Sequence, residues 1–152
     1  NMVIAIGLDY SPLDRRKRNG VLDVATRELL TPKGLRTLSP KSYGYHPFYL
    51  GSPDEREIAL HQGPVRPWLF GFYADAYLKV FGFSGVGYID RMLIGFEDEM
   101  SQGCIGSLSQ LYDANPPFTG RGAISHATNV AEVVRVIRTL KKFNVEPTTQ
   151  QK

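Results

Sequence analysis

One stretch limits the possible folds more than any other: PVRPWLFGFYADAYLKVF, residues 64–81. Its spacing predicts a helix over about 65–81, with Pro67 in the first turns, where a missing N–H does no harm. Val65, Trp68, Leu69, Phe72 and Ala76 make one apolar stripe, and Phe70, Tyr73, Tyr77 and Leu78 cover much of the remaining surface. A helix that is apolar nearly all round has to be enclosed on most sides. An ordinary small bundle would leave one face wet, so this helix belongs near the centre of the packing.

The other segments supply its neighbours. Ser11-Pro12 reads as a cap followed by Pro at a first helical position, and Val21, Leu22, Ala25 and Leu29 then recur at helical spacing. Thr31-Pro32-Lys33-Gly34 ends that helix. Residues 35–63 have no sustained period but hold Tyr43, Tyr45, His46, Phe48 and Tyr49. Ser84 reads as the cap of a helix with Ile89, Met92, Leu93, Phe96 and Met100 as its stripe. A last helix, about 126–142, has Val130, Val134 and Ile137 inward and Glu132, Arg135, Arg138, Lys141 and Lys142 outward. The polar residues 144–152 read as a flexible tail. The pattern is therefore all-α, one domain over 1–143, with two long loops that present aromatic and amide side chains.

Composition removes several classes of function. The chain's 152 residues and 42% apolar content suit one folded domain, and no apolar run approaches a membrane span. The net charge of +3 and the lone basic cluster at 14–18, without interleaved aromatics, read as a solvated helix face and not as a nucleic-acid site. Cys104 excludes an internal disulfide, fits a reducing cytoplasm, and between apolar neighbours reads as a small buried side chain. His46, His61 and His126 lack metal-ligand spacing, so neither metal nor cofactor is expected. The chain begins with Asn and opens on core-like residues, which reads as part of a longer protein.

Two stretches carry the candidate chemistry. In HQGPVRPW, His61, Gln62 and Trp68 bring an imidazole, an amide and an indole to one turn, a mix that suits sugar hydroxyls and C–H faces. Equally, Trp68 would be core and His61 a turn cap. In GSLSQLYDANPPFTGRG, residues 106–122, the groups are Gln110, Tyr112, Asp113, Asn115 and Arg121. They make either a polyol-binding wall or an ordered loop with Asp113 as turn-former and Arg121 as its partner.

In order along the chain, LDYSPL, ELLTPKGLRTLSP, HQGPVRPWLFGFYADAYLKVFG and GSLSQLYDANPPFTGRGAISHATNVAEVVRV resemble the C-terminal part of the glycogen debranching enzyme family, the amylo-α-1,6-glucosidase domain. The resemblance runs over about residues 1–143. It implies a partial (α/α)6 toroid carrying the last helices of a six-hairpin barrel. It implies hydrolysis, with inversion, of α-1,6-linked branch stubs of glycogen or another branched α-glucan. The partners it implies are that glucan and the remainder of the parent chain. It also implies self-association through inner faces bearing Trp68, Phe70, Phe72 and Tyr73.

An inverting glycosidase needs an acid and, across the sugar, a base that activates water. In the resembled family the acid lies upstream of this stretch, and the base is a Glu in a segment reading S-E-I-F-D-G in many members. Here the segment reads Ser109-Gln110-Leu111-Tyr112-Asp113-Ala114, so Gln110 takes the base position and Asp113 is a possible substitute. Gln can hold a water but cannot take its proton. Arg66 stands where the family usually has Trp. By the same resemblance His61, Gln62, Trp68, Tyr112 and Arg121 contact sugar. A non-catalytic glucan-binding relative that has lost its base is the alternative.

Overall fold

The computed structural model describes residues 2–145. In chain order its elements are α1 (Met2–Gly7), α2 (Arg15–Glu28), β1 (Leu30–Thr31), β2 (Gly34–Arg36), α3 (Pro53–Ala59), β3 (Val65–Arg66), α4 (Leu69–Phe81), a 3-10 turn (Gly82–Gly85), α5 (Val86–Glu99), β4 (Leu111–Tyr112), β5 (Gly120–Arg121) and α6 (Ala127–Val145). The five strands form one antiparallel sheet in the order β1-β2-β3-β4-β5.

That sheet overturns the expectation of an all-α partial toroid: the described residues form a helical layer and a small sheet. The reason the strands escaped the pattern is their length. Each is two or three residues long, and alternation cannot be recognised over so few positions. The segment 31–34, expected only to stop a helix, is the turn of the β1–β2 hairpin, with Leu30 opposite Leu35 and Thr31 opposite Gly34. Gly34 sits at φ 119°, and a Cβ there would lie 2.8 Å from Pro67 Cα on the neighbouring strand's exit. Only glycine satisfies both the turn and that close approach.

Helix α4 is central, as its composition requires. Phe70, Tyr73, Ala74 and Ala76 are buried against Val3 and Ile6 of α1, Leu22 and Ala25 of α2, Ile89 and Phe96 of α5, and Val133 and Val136 of α6. Tyr73 also satisfies its phenol on Thr26 Oγ1 at 2.9 Å, tying α4 to α2. The helix begins later than the spacing suggested, because Val65 and Arg66 pair with Arg36 and Leu35 in the sheet. The aromatic face expected to be bare is covered in part within the chain. Phe70 and Tyr73 are fully buried, and Trp68 and Phe72 are half-buried.

The helix ends differ where local polar groups compete. Helix α2 is capped by Asp14, which accepts from the Lys17 N–H at 2.9 Å, while Ser11 caps only the turn at Leu13. Ser84 lies in the 3-10 turn and donates to Phe81 O, and α5 follows without a side-chain cap. Helix α3 lies inside the segment read as aperiodic. Ser52 and Glu55 form its reciprocal capping box, with Pro in the first turn.

Helix α6 turns Val130 and Ile137 against the core as expected, but its fully buried stripe lies to one side of them. Asn129, Val133, Val136 and Leu140 face inward, and Val134 is exposed. Arg135 and Glu132, expected in solvent, are half-buried. Arg135 bonds Asp75 Oδ1 at 2.9 Å and Glu132 Oε2 at 2.8 Å. Cys104 is partly exposed, and its neighbour Ile105 is bare. Asn144 and Val145, assigned to the tail, continue α6, and residues 146–152 lie outside the described residues.

Candidate functional site

A cavity of about 560 Å³ opens where α1, α2 and strands β2 and β3 meet the start of α4. Its walls combine the apolar Val3, Leu29, Leu35 and Leu69 with Arg36, Thr37, His61, Arg66 and Trp68. That size and mixture fall within the range of small-ligand sites. The turn His61–Pro64 that forms one lip is held by its backbone. Thr37 Oγ1 accepts from the Gly63 N–H at 2.9 Å and donates to Pro64 O at 3.1 Å, and the His46 N–H donates to Gln62 O at 2.7 Å. The side chains of His61 and Gln62 are left exposed.

Arg66 follows on β3. Its Nη2 donates to Leu60 O at 3.2 Å, and it joins none of the ion pairs among the described residues. Burial pushes its pKa below the usual guanidinium value, partly opposed by the nearby Tyr49 phenol. Trp68 stands half-buried at the start of α4, its ring edge-on to Phe72 at 5.9 Å.

The second stretch forms the β4–β5 hairpin, with Leu111 opposite Arg121 and Tyr112 opposite Gly120. Gln110 precedes β4 and is half-buried. Its N–H donates to Ala123 O at 2.8 Å, and its Oε1 accepts from the Ala123 N–H at 3.1 Å. Gly122, at φ 70°, makes room: a Cβ there would press on the Gln110 amide.

Tyr112 is fully buried, its phenol accepting from the Ser109 N–H at 3.0 Å. Burial, aided by the Glu99 carboxylate and opposed by the Ser109 hydrogen bond, pushes it up to about 12. Asp113 is 2% exposed, and both its oxygens are engaged. Oδ1 accepts from the Tyr49 N–H at 2.9 Å, and Oδ2 accepts from Arg121 Nε and Nη2 at 3.0 and 2.8 Å.

The structure thus brings His61, Arg66 and Trp68 onto one cavity, with Gln62 exposed on the adjoining turn. Gln110, Tyr112, Asp113 and Arg121 lie on the hairpin and are not among the cavity's lining residues. The two stretches are nonetheless neighbours, since Val65 of β3 pairs with Tyr112 of β4.

A residue that the sequence reading passed over joins them. Asn129, fully buried in the first turn of α6, accepts from the Trp68 N–H at 3.2 Å. Its Nδ2 donates to Ser109 O at 2.7 Å and to Gln110 O at 3.1 Å. The available signal was an amide on the inward face of an amphipathic helix, since a buried amide needs partners.

Comparison with known proteins gives two results. The sequence profile of the family described as Amylo-alpha-1,6-glucosidase matches residues 1–135. A stretch of 62 residues is 36% identical to the glycogen debranching enzyme of Saccharomyces cerevisiae (strain ATCC 204508 / S288c), covering 37% of this chain and 4% of that protein.

Proposed function

The chain belongs to the amylo-alpha-1,6-glucosidase family, and from that premise we propose that the protein containing it hydrolyses α-1,6-linked glucose at the branch stubs of glycogen or a similar α-glucan, with inversion. Membership carries the reading. The cavity beside Trp68 and His61 supports it, because a sugar needs an aromatic face and polar groups at its edge. The chain matches only a small part of its yeast relative, so the remainder of the parent supplies the acid and the rest of the pocket. A cytoplasmic site of action fits the single cysteine.

Within this stretch Gln110 is the base position. Its amide oxygen already accepts a backbone N–H from Ala123, and a glutamate there would keep that bond. Asp113 is the weaker candidate, since Tyr49 and Arg121 occupy both its oxygens. A Gln holds water without taking its proton, which favours a second reading: a glucan-binding relative with little or no hydrolysis.

The test is Gln110→Glu in the full-length protein. Glucose release from a glycogen limit dextrin should rise tenfold or more, within the roughly 10²–10⁴-fold that a positioned base supplies. Binding of a linear oligosaccharide should change little. An unchanged rate in a variant that still binds glucan would remove Gln110 from the base position.

A further inference from the structure

Neither arginine at the cavity has a counter-charge among the described residues, and Arg66 has the fewer hydrogen bonds. Among the described residues the cavity wall contains two arginines and a histidine but no Asp or Glu. Arg36, the other arginine, donates to Ala114 O at 3.0 Å and to Glu28 O at 3.4 Å, so backbone carbonyls occupy part of its fork. Arg66 gives a single Nη2 bond to Leu60 O, and most of its donors have no partner among the described residues. Taking a guanidinium halfway out of water without a counter-charge is unfavourable. The lowered pKa of Arg66 has the same origin. Trp68, two residues along, lines the same space and offers a flat face for a hexose ring.

We propose that Arg66 makes this cavity selective for an α-glucan unit bearing a phosphate monoester, with the guanidinium on the phosphate and Trp68 against the sugar. A guanidinium fork matches the oxygens of a phosphate, and charge-assisted bonds of this kind are about twice as strong as neutral ones. A neutral glucan can accept hydrogen bonds from Arg66 through its hydroxyls but brings no counter-charge. A phosphorylated one supplies the missing charge. The proposal rests on the cavity being a glucan site, and its test does not depend on hydrolysis.

The experiment is calorimetric titration of the full-length protein with glucose, glucose 6-phosphate, maltotriose, a phosphorylated maltotriose and inorganic phosphate. Both phosphorylated sugars should bind about tenfold or more tightly than their neutral counterparts. They should also bind more tightly than inorganic phosphate, and the preference should shrink as salt rises. Arg66→Met should abolish the preference for the phosphorylated sugars, and Arg66→Lys should retain part of it. Thermal melting of both variants establishes that they are folded.

Equal affinity for the phosphorylated and neutral sugars in the parent protein overturns the proposal. That would be the result if a carboxylate from the rest of the parent already pairs Arg66. A preference that survives Arg66→Met, or inorganic phosphate binding as tightly as the phosphorylated sugars, overturns it too. Preference without glucose release from a dextrin leaves it standing and removes the glucosidase reading.

Discussion

The turn at His61–Arg66 and the hairpin around Gln110–Arg121 lie on adjacent strands, yet they treat their polar groups in opposite ways. In the hairpin, Asp113 and Tyr112 are buried with their bonds made inside the protein. At the turn, backbone bonds to Thr37 and His46 fix the main chain, while His61 and Gln62 are exposed and Arg66 lacks a counter-charge among the described residues. A polar group whose partners are all internal holds a fold together. One that is positioned but left open is available to a ligand. The family's base position falls between these extremes. Gln110 is half-buried and bonded through one oxygen to Ala123.

The sharpest way to break this contrast is at Asp113. If its carboxylate is structural, Asp113→Ala should destabilise the protein by about 3 kcal/mol, the low end for a broken buried pair, because Arg121 retains some solvent contact. Denaturant unfolding measures this. A stable Asp113→Ala protein that has lost glucose release would mean that Asp113 does chemistry and that the contrast is false.

Asn129 tests whether the two regions act as one unit. Asn129→Ala strips a partner from the Trp68 N–H and from the Ser109 and Gln110 carbonyls at once. A loss of about 2 kcal/mol is expected, within the range for leaving buried groups unsatisfied. If the coupling is real, oligosaccharide affinity at the cavity should fall as well, since Trp68 loses its anchor. A stability loss with unchanged affinity would show that the cavity is positioned independently of the hairpin.

These residues also show what could be read before the structure was known. Helix α4 was legible because the thirteen positions 69–81 carry one helical signal, although the expected start at 65 ran into strand β3. Its centrality followed from having no wet face. The α5 stripe was legible for the same reason: Ile89, Leu93 and Phe96 are its buried residues.

The sheet was not legible, because strands such as Val65–Arg66 are defined by a partner far along the chain and not by any local period. Helix α3 could have been found from Ser52-Pro53-Asp54-Glu55, a capping-box sequence overlooked among the aromatics. On α6 Val130 and Ile137 pack against the core as expected, whereas Val133, Val136 and Leu140, the apolar residues buried most deeply, are not distinguished by the spacing alone. The inward face is completed by Asn129, whose burial depends on three backbone groups from other segments. At the site, residue identities were readable. The division between engaged and open groups was not, because it depends on contacts such as Tyr49 with Asp113, 64 residues apart.

The mildest test concerns Tyr112 and sets the closed character of the hairpin against pH. Near neutrality Tyr112→Phe removes the oxygen that accepts the Ser109 N–H. A loss of about 1 kcal/mol is expected, the usual net value of one hydrogen bond. Burial raises the phenol's pKa from its ordinary value of 10.0 to about 12, so the folded state holds that proton more tightly than the unfolded chain does. The associated stability is fully present below pH 10 and is lost as pH rises through 12. Tyr73 and Tyr77 are raised by burial too, so both proteins should weaken in alkali. The variant lacks the Tyr112 share of that loss. Its deficit at pH 7 should therefore shrink above pH 10, be reversed by about pH 11 and invert further by pH 12, as read from denaturation midpoints at pH 7, 10, 11 and 12. A constant gap across that series would mean that the phenol ionises alike in both states. Tyr112 would then have to reach water, and the hairpin would be as open as the turn beside it.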